Sequence, residues 1–144
     1  MKNDSKSSNS NKVNLDDFFI IDAELLPLVE KAEEGCLSSQ QRLFEVFVDG
    51  DKAKVNYEIA VYYLDLAYKT INHLNLPENE FNNKIRQNIL WNKAQTLGLK
   101  GDVEATKEAF FEMIDFMRDN LPLEDWNFSQ LETIINLIHQ EGDF

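Results

Sequence analysis

Apolar side chains recur along this chain every three or four positions, with polar residues between them. That period gathers the apolar set on one face of a helix. It breaks at Gly35, Gly50, Asn75-Leu76-Pro77, Gly98 or Gly101, and Leu121-Pro122, which divides the chain into six predicted helices. The first runs from about Ala23 to Glu34, with Asp22 as its cap and Gly35 as its stop. Pro27 draws the regular part of that helix toward itself. The second opens at Ser38, with Gln41 three residues on in a capping-box pattern, and ends at Gly50. The third spans about Asp51 to His73, the fourth about Glu78 to Leu97, and the fifth about Asp102 to Asp119. Ser129, with Glu132 three residues later, opens the sixth, which reaches about His139. No period-two alternation and no hairpin dipeptide competes, so the chain reads as all-α.

The third helix carries two apolar stripes. At about 100° per residue, Tyr57, Ala60, Val61, Leu64, Ala67, Tyr68 and Ile71 form one, and Val55, Ile59, Tyr62 and Leu66 form another. Glu58, Asp65 and Lys69 fill the strip left over. A helix apolar on two sides is expected to be covered on two sides. The competing reading leaves the Tyr62–Leu66 stripe open to a partner. Small residues also fall at positions where neighbouring helices must approach: Ala32, Gly35, Ser39, then Ala60 and Ala67, with Leu43, Phe47 and Tyr63 between them.

The run Ala32-x-x-Gly35-x-x-x-Ser39-x-x-x-Leu43-x-x-x-Phe47-x-x-Gly50 resembles one unit of the Sel-one-like repeats, relatives of tetratricopeptide repeats. Ala60, Tyr63 and Ala67 resemble the first helix of a following unit. The resemblance covers roughly Leu26 to Tyr68. Ser39 stands in place of the usual alanine, Phe44 where a glycine often follows the leucine, and no glycine comes soon after Ala67. Ala94, Gly101, Ala105 and Ala109 resemble a tetratricopeptide unit more loosely. The resemblance implies a right-handed stack of helix-turn-helix repeats, a short α-solenoid with a concave protein-binding face. It implies no shared substrate, cofactor or catalytic residue.

Composition narrows the function. The chain has 144 residues with 43% hydrophobic content and ten Phe, enough for one cored domain over about residues 14–144. Met1 to about Val13 is a polar tail that contains no secretory signal, and Leu15 to Ile21 is a short apolar lead-in segment. No run approaches the apolar length of a membrane span. The single cysteine, Cys36, excludes an internal disulfide and suits a reducing cytoplasm. Acidic residues outnumber basic ones 26 to 14, for a net charge of −12. Such a field disfavours nucleic acid and anionic membranes and favours a basic protein partner.

The excess acid concentrates on the fifth helix. Glu104, Glu108, Glu112, Asp115 and Asp119 fall within about 80° of one another around the axis. Only Lys107 and Arg118 offer basic neighbours on that helix, so the strip is expected to be largely unneutralised. It reads either as a docking strip for a Lys/Arg-rich surface or as a solvated face. Trp91 falls outside the apolar arc of the fourth helix, as an interface anchor or as packing against a neighbouring helix.

No catalytic constellation emerges, and no cofactor or metal is expected. His73 and His139 have no ligand at metal spacing and read as helix-end histidines. Cys36, beside acids and just past a helix C-terminus, is expected to hold its proton. These features point to a non-catalytic interaction module. Its sharpest form is an acidic immunity- or antitoxin-like inhibitor of a basic bacterial toxin or effector. The alternative is a peptide-binding adaptor or co-chaperone using the concave face, with Arg86 and Lys93 as its cations.

Overall fold

Capping chemistry sets most of the helix boundaries of this chain. The computed structural model describes residues 25–50, 52–74 and 80–141. Among them are six α-helices: α1 (Leu25–Glu33), α2 (Leu37–Asp49), α3 (Tyr57–His73), α4 (Glu80–Lys100), α5 (Val103–Asn120) and α6 (Phe128–Glu141). A single 3-10 turn, Leu123–Asp125, joins the last two. The described residues contain no strand. The polar tail, the lead-in segment, the Asp22 cap, Asp51 and the break around Pro77 lie outside the described residues.

Three expected helix starts are corrected. Helix α3 begins at Tyr57, not near Asp51, because the Asn56 side chain accepts a hydrogen bond from the Ile59 amide at 3.1 Å. The preceding residues fold into a turn instead, with Lys52 at φ 68° and Ala53 buried. Helix α2 starts at Leu37, ahead of the expected Ser38, with Cys36 in the N-cap position and no side-chain capping hydrogen bond. Helix α6 starts at Phe128 ahead of the expected Ser129, because the Asn127 carboxamide accepts from the amides of Ser129 and Gln130. By contrast Asp102 caps α5, accepting from the Ala105 amide at 3.1 Å.

Two glycines explain themselves. Gly50 ends α2 at φ 78°, a left-handed conformation that L side chains resist, and its amide donates to the Val46 carbonyl. Gly98 lies inside α4, which continues past it to Lys100. A Cβ at Gly98 would stand 2.8 Å from Leu137 Cδ1 and 3.0 Å from Leu137 Cβ on α6. Here glycine is retained for close helix approach, and α4 ends at Gly101.

Each helix packs on the next in sequence, and α4 also packs on α6. The small-residue code forms the first of these contacts. Ala32, Leu43, Ala60, Tyr63 and Ala67 are fully solvent-free, and Ser39 and Phe47 nearly so. Both stripes of α3 are covered. Tyr62 and Leu66 pack against the α1–α2 cluster, while Leu64, Ala67 and Ile71 pack with Ile89 of α4. Val55, expected in the second stripe, precedes the helix and is exposed. Beyond α4, Leu90, Met113, Met117 and Leu131 form one cluster and Ala94, Ala109, Ile134 and Ile138 another, drawn from α4, α5 and α6. Fully burying each leucine, isoleucine or methionine of these clusters stabilises the fold by about 1.5–3 kcal/mol. Among the described residues no helix is long and apolar enough to cross a membrane.

A candidate protein-binding face on α5

The Asp102 cap fixes the start of α5, and the buried Thr106, Ala109, Met113 and Met117 fix its rotation. With those four inward, Glu104, Glu108, Glu112, Asp115 and Asp119 all fall on the exposed side. The strip is more paired than its sequence suggests. Arg118 lies 3.0 Å from Asp115 and 3.8 Å from Asp119, and Lys107 lies 3.9 Å from Glu104. Lys93 reaches from α4 to within 3.8 Å of Glu112. That corrects the expectation of a largely unneutralised strip. Arg118 reaches two acids within its own turn, and tertiary packing supplies the third cation. The Arg118 pairs, exposed on both sides, are each worth about 0–1 kcal/mol.

Phe111 is the residue that sequence reasoning passed over. It is 61% exposed, although large aromatic side chains are costly to leave in water. Seven residues from Glu104 at 100° each bring it to about 20° from Glu104 around the axis, just past the edge of the acidic arc and on the side of Arg118 and Lys107. The helical projection alone contained this signal. Its ring meets Phe110 edge-on, with centroids 5.8 Å apart, and Phe110 packs inward against the α4 and α6 clusters. An exposed aromatic ring is thus held on a half-buried one, at the border between the carboxylates and the basic pair Lys107 and Arg118.

Trp91 sits elsewhere. It packs against the clusters that α4 shares with α5 and α6, and its indole N–H is buried without a hydrogen-bond partner among the described residues. Of its two expected roles, the structure displays the packing one, because α6 lies over that side of α4.

A pocket of about 230 Å³ opens between α3, α4 and α5, lined by Leu64, Asp65, Tyr68, Lys69, Ile89, Leu90, Lys93 and Glu112. Lys93 donates to Asp65 at 3.0 Å. Partial burial works to lower the Lys93 pKa. The hydrogen bond to Asp65 and the charges of Asp65, Glu112 and Glu108 outweigh it and hold the ammonium above its ordinary value. Burial, then the Glu112 charge, raises the Tyr68 phenol. Arg86 is buried and donates to Asn72 Oδ1 at 3.0 Å and to Asn83 Oδ1 at 3.1 Å. Neither cation expected to line a peptide groove stands free.

His73 and His139 occupy the last turns of α3 and α6, at helix ends. Cys36 departs from expectation. It caps the N-terminus of α2, where Ser39 Oγ donates to its sulfur at 3.1 Å and Ser38 Oγ lies at 3.5 Å. Those hydroxyls lower the thiol to about 7. The sequence places Cys36 after one helix, but the next helix starts immediately and its N-terminal field favours the thiolate. No family model, curated protein or solved structure matches this chain.

Proposed function

We propose that this chain is a non-catalytic binding module that holds a basic protein against the outer face of α5. The observation that carries the proposal is Phe111, 61% exposed at the edge of an arc of five carboxylates. The carboxylates steer a cationic surface into contact and set its orientation. The ring supplies apolar area beside the carboxylates and a face for an incoming guanidinium or ammonium. The net charge of −12 extends the same attraction beyond contact distance. In its sharpest form the protein is an immunity- or antitoxin-like inhibitor, and its ligand a basic bacterial toxin or effector. A nuclease is an apt ligand, because a surface that attracts phosphate also attracts this strip.

The helix order supports a short right-handed solenoid as the architecture. Helices α1 to α5 pack chiefly on their sequence neighbours, as repeat units do, whereas α6 packs more on α4, one helix pair away, than on α5. The adaptor reading loses ground on Arg86 and Lys93, both engaged inside the molecule.

The test compares three baits in low-salt capture from a native lysate: the native chain, a Glu104→Lys/Glu108→Lys/Asp115→Lys variant, and Phe111→Ser. Circular dichroism confirms that all three are folded. The captured protein is then purified and titrated against each bait at rising salt. A basic ligand that loses affinity on both variants and with salt is the expected result. Equal affinity for all three baits refutes the proposal.

A further inference from the structure

The pocket between α3, α4 and α5 is built in a way that contact with α5 alone does not use. Its floor is aliphatic, formed by Leu64, Ile89 and Leu90, none more than 2% exposed. Its rim carries Asp65 and Glu112, with side chains 47% and 48% exposed. Between them stands the Lys93 ammonium, 3.0 Å from one carboxylate and 3.8 Å from the other. A long cationic side chain is divided the same way: methylenes that gain from apolar cover, and a head that gains from carboxylates. At about 230 Å³ the pocket is smaller than the roughly 300–1,000 Å³ of sites that enclose whole small molecules. It suits a single side chain.

We infer that this pocket is a socket for one arginine of the basic partner, and that Lys93 is its resident occupant, keeping the two carboxylates in place until the partner arrives. The inference rests on the docking reading of α5 and adds to it a residue class and a second contact surface. Glu112 belongs to both the strip and the socket, so a partner seated on α5 borders the pocket mouth. Lys93 engages one oxygen of each carboxylate, Oδ1 of Asp65 and Oε1 of Glu112. A carboxylate offers about four lone-pair sites, so both remain able to accept further N–H groups. A planar guanidinium presents several directed N–H groups to two carboxylates at once, which the point charge of an ammonium does not. Tyr68 lines the same wall and adds an aromatic surface for stacking. Lys69 also stands at the rim, so two acids balance two lysines there. Long-range attraction therefore comes from the strip, and the socket selects at short range.

The probe is a hexa-arginine peptide with blocked ends, titrated into the full isotope-labelled chain and followed by amide chemical shifts. A hexa-citrulline peptide serves as the uncharged control. Shifts are expected at Leu64, Tyr68, Ile89 and Lys93 as well as along the acidic strip, and with arginine only. Asp65→Asn, isosteric and at a half-exposed site, weakens binding about threefold, the size of one solvent-accessible charged contact. Lys93→Met vacates the socket and tightens binding by about the same factor. Arg42→Gln, which removes one positive charge from α2, measures the general charge effect and changes affinity less. Strip shifts without pocket shifts, or Asp65→Asn and Lys93→Met no different from native and Arg42→Gln, overturn the socket and leave the docking face standing. Equal shifts with citrulline overturn the socket as a cation site. No shift anywhere overturns both readings.

Discussion

Tyr63→Phe should make this protein more stable, although it removes a polar atom from a tyrosine packed on every side. Tyr63 is 0% exposed, its ring stacked 6.5 Å from Phe47 and edge-on to Tyr62 at 5.0 Å. Its hydroxyl is buried with no hydrogen-bond partner among the described residues, while the Tyr62 hydroxyl beside it takes the Glu33 carboxylate at 3.1 Å. Burying an unbonded hydroxyl costs about 1–3 kcal/mol. Deleting it leaves a gap of about one atom, worth less than about 0.5 kcal/mol at the usual cavity cost. The net gain is about 1 kcal/mol. Urea unfolding with a slope near 2 kcal/mol per molar should show the midpoint rising by about 0.5 M, and the melting temperature by about 3 °C. The gap should also widen in alkali. Burial first, then the Glu33 and Tyr62 charges, raises the Tyr63 phenol above its ordinary 10.0. The native chain keeps its full stability below that pH and loses it as pH rises toward the folded-state value, because only the unfolded phenol ionises there. The phenylalanine variant has nothing to ionise. A variant that unfolds at lower urea than native, with an unchanged slope, would show that the hydroxyl is satisfied, and the reasoning fails.

Gly98→Ala gains up to about 1 kcal/mol of helix propensity but drives a methyl to 2.8 Å from Leu137. Overpacking of this kind costs about 1–3 kcal/mol, so thermal unfolding should come earlier, and Leu137→Ala in the same chain should offset part of the loss. Asn127→Ala removes the acceptor for two amides at the start of α6 and should lower stability by about 1 kcal/mol in chemical denaturation. The Cys36 thiol should alkylate with an apparent pKa of about 7, and Ser39→Ala, which deletes the 3.1 Å donor, should move that midpoint upward. An alkylation profile centred near the ordinary thiol value would refute the cap assignment. Phe111→Ser should leave urea stability within about 0.5 kcal/mol of native while weakening capture of the basic ligand.

The primary sequence by itself determined that this chain is helical, where most helices stop, and which residues line the first interfaces. Those features are local or periodic: Gly50 takes up the left-handed helix stop that other residues resist, and Leu43 with Phe47, like Ala60 with Tyr63 and Ala67, share a helix face by spacing alone. The acidic face of α5 was legible for the same reason, and Phe111 was legible at its edge. Other outcomes required neighbours distant in sequence. Trp91 is packed because α6 lies over α4, and Gly98 is needed because Leu137 comes to rest on it. Lys93 meets Asp65 and Glu112 only when three helices converge, which partly neutralises the strip and forms a pocket. Cys36 changes character because the residue after one helix is also the cap of the next. Periodicity fixes which side of a helix is apolar, but charge pairing, close approach and cavity shape depend on what arrives against that side, and only tertiary packing decides that.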